Sequence, residues 1–258
     1  MEEYHSQFEG HVCKEFAAQT NILDLLREKG VKVFVPNNWE GINGVEPIEL
    51  SWKPDLPDRM KPPARPVNPR LFAHSEKEYR RLYKYMYRES TSPIASPLVI
   101  APKATKPFIR FCGDYRSINS YIHIGHYKIP IVREELPKIS QFSIFVDLDM
   151  SNSFHQLKLG PVTSARLSIQ TPWGQVESKF MPEEVGPASF HLQSIVSKVF
   201  EDFSDWLICI FDNILLLAYD YADAYAKFER VLDRCIDRNV FLKFSKSWLG
   251  FDKANFFG

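Results

Sequence analysis

The chain has 258 residues, 45% hydrophobic and 14% aromatic, and its 32 basic side chains balance its 32 acidic ones. That is enough apolar material for one large or two modest packed domains, which excludes a disordered chain, while zero net charge excludes indiscriminate binding to nucleic acid. Cys13, Cys112, Cys209 and Cys235 form no C-x-x-C pair, so neither a disulfide framework nor a zinc site is expected. No apolar run reaches the roughly 20 residues of a membrane span, and the acidic start MEEYHSQFEG is no secretory signal. The expectation is a soluble intracellular protein, cytoplasmic or nuclear, without a membrane partner.

Residues 1 to 50 carry 4 basic against 9 acidic side chains, and residues 1–53 read as an acidic N-terminal connector. Within it, LDLLREKGVKVFV reads as a short helix stopped by Gly30 and then a strand. KPDLPDRMKPPARPVNP follows, with six prolines between Pro54 and Pro69. Proline fixes φ and removes a donor, so this strap runs extended and marks a boundary. SEKEYRRLYKYMYRES then reads as a helix, with Ser75 as N-cap and Glu78 in the capping-box position. Residues 51 to 88 hold 10 basic against 4 acidic side chains, interleaved with Tyr79, Tyr83, Tyr85 and Tyr87. Such a segment either tracks a phosphate backbone or is a solvated helix face plus linker. Residues 54–92 thus form a proline-rich basic strap and helix leading into residues 93–258.

From Pro93 onward short strands alternate with helices. SPLVIAP, FIRFC, FSIFVDLD, ARLSIQT and VESKF have the β-branched and aromatic content and the turn-rich flanks of strands. Helices follow at 188–202 and 221–238 by apolar periodicity, separated by the hairpin WLICIFDNILLLA. The fold class is α+β, with a mostly antiparallel sheet backed by helices.

Two stretches carry candidate chemistry. In ICIFDNILLL two apolar runs meet at Asp212 and Asn213. These residues either make a tight turn, since both tolerate left-handed backbone, or present a carboxylate to a metal ion. In FVDLDMSNSFHQL, residues two apart on a strand share a face, so Asp147 and Asp149 point the same way at the strand end. Two acids on one face repel unless a cation neutralises them. A strand-end acid beside a hairpin acid is what two-metal phosphoryl transfer uses.

Read in order, RPVNPR, SPIASPLVIAPK, FIRFCGDYRSIN, VDLDMSNSFHQL, FMPEEVGPASF, IFDNILLLA and LKFSKSWLGFDKANFFG resemble the reverse transcriptase of gypsy-type long-terminal-repeat retrotransposons. The likeness runs from about Pro54 to Gly258. It implies a right-hand polymerase fold, with fingers and palm and an antiparallel palm sheet, cut from a larger pol polyprotein. It implies an RNA-directed DNA polymerase that adds dNTPs to a primer 3′-hydroxyl on an RNA or DNA template with Mg2+, or Mn2+. The remaining partners are then the thumb and RNase H of the polyprotein, and the cytoplasmic location a virus-like particle. The resemblance makes Asp149 and Asp212 the metal ligands and puts Asn213 at the second hairpin acid. Lys103 and Arg110 fall where the family grips the triphosphate, a point charge and a planar fork suited to phosphate oxygens. Phe154 falls under the sugar, where a ring excludes a 2′-hydroxyl, with Gln156 and Glu184 in the neighbouring nucleotide-binding blocks. Arg116, Lys246 and the primer-grip start Phe256, Phe257 and Gly258 are the residues expected to meet nucleic acid.

Three departures count against turnover. Asn213 lacks the expected charge, Ile210 replaces the hairpin tyrosine, and Glu184 stands where the family has a glycine. The block from Met181 to Phe190 is also two residues short of the family pattern. An alternative reading is therefore a polymerase fold that binds nucleic acid or protein without catalysis. A remoter one rests on HIGH at His123–His126 and KFSKS at Lys243–Ser247, which resemble the two signatures of class I aminoacyl-tRNA synthetases. The first should open a helix, yet YKIPIV follows, and Pro130 with its β-branched neighbours does not continue one. The second should sit in a mobile loop, yet FLKFSKSWLGF reads as a strand. The first 50 residues hold no D-T-G or D-S-G triplet, so no aspartic protease is expected there.

Overall fold

The computed structural model describes residues 1–104 and 107–255. In chain order these form α1 (Glu2–Ser6), α2 (Phe8–His11), α3 (Lys14–Gln19), α4 (Ile22–Leu25), α5 (Val31–Phe34), α6 (Phe72–Tyr83), β1 (Tyr87–Glu89), β2 (Ser96–Pro102), β3 (Ile109–Gly113), α7 (Arg116–Asn119), α8 (Val132–Ile139), β4 (Ile144–Asp149), α9 (Pro161–Arg166), β5 (Ile169–Thr171), β6 (Gly174–Ser178), α10 (Ala188–Val199), β7 (Leu207–Ile210), β8 (Asn213–Ala218), α11 (Tyr221–Arg238) and β9 (Trp248–Phe251). They gather into two compact units. One comprises Met1–Val45, His126–Ser153 and His191–Gly258, the other Glu46–Gly125 and Phe154–Phe190. No helix among the described residues is long and apolar enough to cross a membrane.

The first unit is built on an antiparallel four-stranded sheet in the order β7-β8-β4-β9. In β4 the period of two is plain: Ile144, Val146 and Leu148 are buried, while Phe145, Asp147 and Asp149 share the other, half-buried face. Helix α11 packs on β8 and β4 through Ala224, Phe228, Val231, Leu232 and Cys235, all buried on one helical stripe. The Asp220 carboxylate caps its start by accepting from the Asp223 N–H, and Asn239 ends it in left-handed backbone at φ 56°.

The N-terminal segment departs from the expected helix-then-strand. The chain passes Gly30 through one π-type turn, Leu26–Gly30, and continues helical as α5. Gly30 itself has helical φ and ψ. Its role is close approach, because a Cβ there would lie 2.6 Å from the Tyr4 hydroxyl, which donates to the Leu26 carbonyl at 3.0 Å. Val33 and Phe34 bury their side chains from this helix, and tertiary burial overrides the β-branched preference.

The second unit carries a five-stranded sheet in the order β1-β6-β5-β2-β3, antiparallel except where Ser96 of β2 pairs in parallel with Ile169 of β5. The proline strap holds no helix or strand from 54 to 68 and touches its surroundings through a bridge between Met60 and Ile94. Helix α6 starts earlier than expected. Asn68, not Ser75, supplies the capping oxygen, accepting from the Arg70 N–H in the 3-10 turn Pro69–Leu71 that precedes the helix. Ser75 lies inside the first turn and donates back to the Leu71 carbonyl at 2.7 Å, while Glu78 is taken by Arg81. The helix expected at 188–202 is α10 followed by the 3-10 turn Glu201–Phe203. FLKFSKSWLGF is not one strand: a 3-10 turn, Phe244–Lys246, precedes β9. No helix follows HIGH until Val132.

Candidate functional site

The β7–β8 hairpin pairs Ile210 with Asn213, so Phe211 and Asp212 are the two turn residues. A two-residue hairpin needs left-handed backbone at its first position, and that position is filled by Phe211 at φ 54° rather than by Asp212 or Asn213. A bulky side chain is costly there, and Gln193 offsets the cost. Its side chain, fully buried on α10, accepts from the Phe211 N–H at 2.7 Å and donates to the Cys209 carbonyl and the Ser197 hydroxyl, each at 3.0 Å. The sequence reasoning missed this residue. A lone amide among the apolar residues of SFHLQSIV was the signal that could have found it.

Sheet register then decides what Asp212 meets. Asp149 lies directly opposite Asn213, and the Met150 N–H donates to the Asp212 carbonyl at 2.8 Å, so both carboxylates sit at one end of adjacent strands. The Lys243 N–H donates to the Asp149 carbonyl at 2.8 Å, and the Asp149 N–H to the Ser247 hydroxyl at 3.4 Å. Burial raises the Asp149 pKa and the Asp212 charge adds to this, against Lys246 and Lys243, which pull it down. Lys246, expected to meet nucleic acid, stands 3.7 Å from the Asp149 carboxylate. Asn213 donates its amide N–H to the Asp212 carboxylate at 3.3 Å. Asp147 does share the face of Asp149, and burial, with the Asp149 charge second, pushes its pKa up to about 6.

Two crowded, mutually repelling carboxylates with hard oxygen donors suit a divalent cation. Among the described residues no group of three or more His, Cys, Asp or Glu converges to hold one. The side chains at this end of the sheet are two carboxylates, Asp149 and Asp212, and the Asn213 amide.

The remaining sequence candidates among the described residues lie in the second unit. Lys103 is exposed beyond the end of β2, where its N–H donates to the Phe108 carbonyl at 2.8 Å and closes the β2–β3 hairpin; Arg110 is exposed on β3. Phe154 is half-buried and Gln156 buried in the 3-10 turn Ser153–Gln156. Arg116 forms a two-pronged pair with Asp114, at 2.8 and 2.7 Å, and Arg65 reaches the same carboxylate at 3.1 Å. These guanidiniums, Arg116 foremost, hold the Asp114 carboxyl far below the usual carboxylate range. Glu184 is exposed as a residue, yet crowding of its carboxyl group raises its pKa, against which the Cys112 thiol and Arg110 pull. The loop that bears it is clamped by Asn119, which donates to the Glu184 carbonyl at 3.1 Å and accepts from the Gly186 N–H at 2.9 Å. Phe256, Phe257 and Gly258 lie outside the described residues.

The architecture is the reverse-transcriptase fold. The whole chain superposes on the foamy viral protease-reverse transcriptase in complex with dsDNA at a TM-score of 0.84, with 14% identity, over 53% of that chain. Against the same enzyme in complex with RNA/DNA hybrid the TM-score is 0.81 at 14% identity, covering 96% of this chain and 33% of that one. In sequence, the chain is similar to retrotransposon polyproteins, as its motifs suggested. It is 24% identical over 172 residues to the transposon Tf2-7 polyprotein of Schizosaccharomyces pombe, covering 66% of this chain, and likewise to the Tf2-3 polyprotein of the same yeast. The chain spans 13% of the length of those relatives. No protein-family model matches it.

Proposed function

We propose that this chain is the fingers and palm of a retrotransposon RNA-directed DNA polymerase. In this reading the first unit supplies the palm, and the strap, α6 and the five-stranded sheet supply the fingers. The observation that carries it is the placement of Asp149 and Asp212 at one end of adjacent strands, where Asp149 lies opposite Asn213 and the Met150 N–H donates to the Asp212 carbonyl at 2.8 Å. Asp149 and Asp212 would hold magnesium, with the Asn213 amide oxygen as a neutral third donor. When bound, the metal supplies charge stabilisation for phosphoryl transfer to a primer 3′-hydroxyl. Lys103 and Arg110 would take triphosphate oxygens, and Phe154 would discriminate against ribonucleotides. Lys246, 3.7 Å from the Asp149 carboxylate, would balance part of its charge.

A second reading, nucleic-acid binding without turnover, is favoured by Asn213 and by the Glu184 carboxyl group near Arg110. Primer extension on an RNA template, titrated with magnesium, separates the two. The polymerase reading expects metal-dependent extension that Asp212→Ala abolishes with the fold intact. It also expects a lower magnesium requirement in Asn213→Asp, which restores a charge, and a lower nucleotide requirement when Glu184→Gly is added. Template binding with no extension by parent or Asn213→Asp establishes the second reading.

A further inference from the structure

Away from the paired carboxylates, the second unit presents a ladder of aromatic rings. Phe72 and Trp173 are 5.4 Å apart between ring centroids, Trp173 stacks on Tyr79 at 5.1 Å and 25°, and Tyr79 lies 5.8 Å from Tyr83. The ends of the ladder are open, with Phe72 41% and Tyr83 37% exposed. Trp173, Tyr79 and Tyr83 line one side of a groove of about 780 Å³ between α6 and the β5–β6 turn, with Arg80, Lys84 and one acid, Glu89, also in its wall. That turn is held shaped in advance: the Thr171 hydroxyl donates to the Gly174 carbonyl at 2.6 Å and accepts from the Trp173 N–H at 3.1 Å.

A stripe of cations runs along α6. Lys77, Arg80, Arg81 and Lys84 recur at i, i+3, i+4 and i+7 and so share one face of the helix, and of these Arg80 and Lys84 line the groove. Arg81 is committed to Glu78 and Arg80 to Glu76. Lys77 and Lys84 have no ion-pair partner among the described residues. An ordinary solvated helix face explains the lysines but not a ring ladder left open at both ends next to them.

We propose that this groove binds single-stranded nucleic acid, with unpaired bases stacking on the ring ladder and a phosphate meeting Lys84 in the groove wall. Aromatic platforms beside cations take any base, because every base has a π-face. A duplex keeps its base faces covered and gains only the charge contacts. The proposal rests on the nucleic-acid reading above for the source of an unpaired strand, and its test needs neither metal nor nucleotide. The test is fluorescence anisotropy of the whole chain in EDTA, with a labelled single strand of about 12 nucleotides and a blunt duplex of equal length. Tyr83→Ala and Lys84→Ala change exposed side chains, and circular dichroism checks that each variant folds. Each is expected to weaken single-strand binding about tenfold, with the duplex little changed by Tyr83→Ala. Lys84→Ala should also reduce the slope of log affinity against log salt by about 0.7. Single-strand binding equal to the parent in both variants overturns the groove, as does a Tyr83→Ala loss equal for strand and duplex. A chain that holds the strand in this way yet fails to extend a primer keeps the groove and loses the polymerase reading.

Discussion

Gln193→Leu tests whether one buried amide aims the hairpin that carries Asp212. Leucine fills similar volume but leaves the Cys209 carbonyl and the Phe211 N–H without their partners at 3.0 and 2.7 Å. Each orphaned group costs about 1–2 kcal/mol, and the left-handed backbone of Phe211 loses the bond that holds it, so the expected loss is roughly 2–4 kcal/mol. For a chain of this size that is a drop of roughly 5–15 °C in the midpoint of the affected transition. A residue that orients a ligand without touching the metal changes affinity about ten- to a hundredfold when lost, so Mn2+ binding followed by electron paramagnetic resonance should weaken by that factor. Hydrogen exchange at the Phe211 amide should accelerate in step. A Gln193→Leu protein that melts with the parent refutes the hydrogen-bond reasoning. One that is destabilised yet binds Mn2+ as the parent does refutes the claim that Gln193 aims the site.

Asp147 gives a pH prediction. Its folded pKa of about 6 lies above the unfolded value of about 3.9, so between those values the folded state holds a proton that the unfolded chain has released. Stability therefore falls as pH rises from about 4 to 6, and the penalty is present in full above 6. Asp147→Asn should stabilise the metal-free protein at pH 7 by on the order of 1 kcal/mol after allowance for solvent screening, and hardly at all at pH 3.5; equal gains at both values in denaturant titrations contradict it. Phe154→Ala should raise the incorporation of ribonucleotides relative to deoxynucleotides in primer extension, and an unchanged ratio leaves Phe154 as a packing residue.

Much of this protein is local in origin and so was legible in the sequence. The alternation IFVDLD places Asp147 and Asp149 on one face wherever the strand goes, because side chains on a strand repeat every two residues. The stripe Ala224, Phe228, Val231, Leu232, Cys235 defines α11, and the prolines from 54 to 69 forbid a helix there. The ordered motif blocks identified the reverse-transcriptase fold, since each is a short run whose spacing survives without knowledge of contacts.

What tertiary structure decided concerns groups far apart in the chain. The register that sets Asp149 against Asn213, the approach of Lys246 to Asp149 and the grip of Gln193 on the Phe211 turn all join segments by folding. The helix at Val31–Phe34 shows the same limit: its β-branched residues favour a strand, but the burial of Val33 and Phe34 in the packed unit outweighs a preference of a few tenths of a kcal/mol per residue. The aromatic ladder belongs to this class too. Tyr79 and Tyr83 were visible as a helical pair, but Trp173 joins them because the β5–β6 turn is carried to α6 by a sheet whose strand order no local pattern encodes.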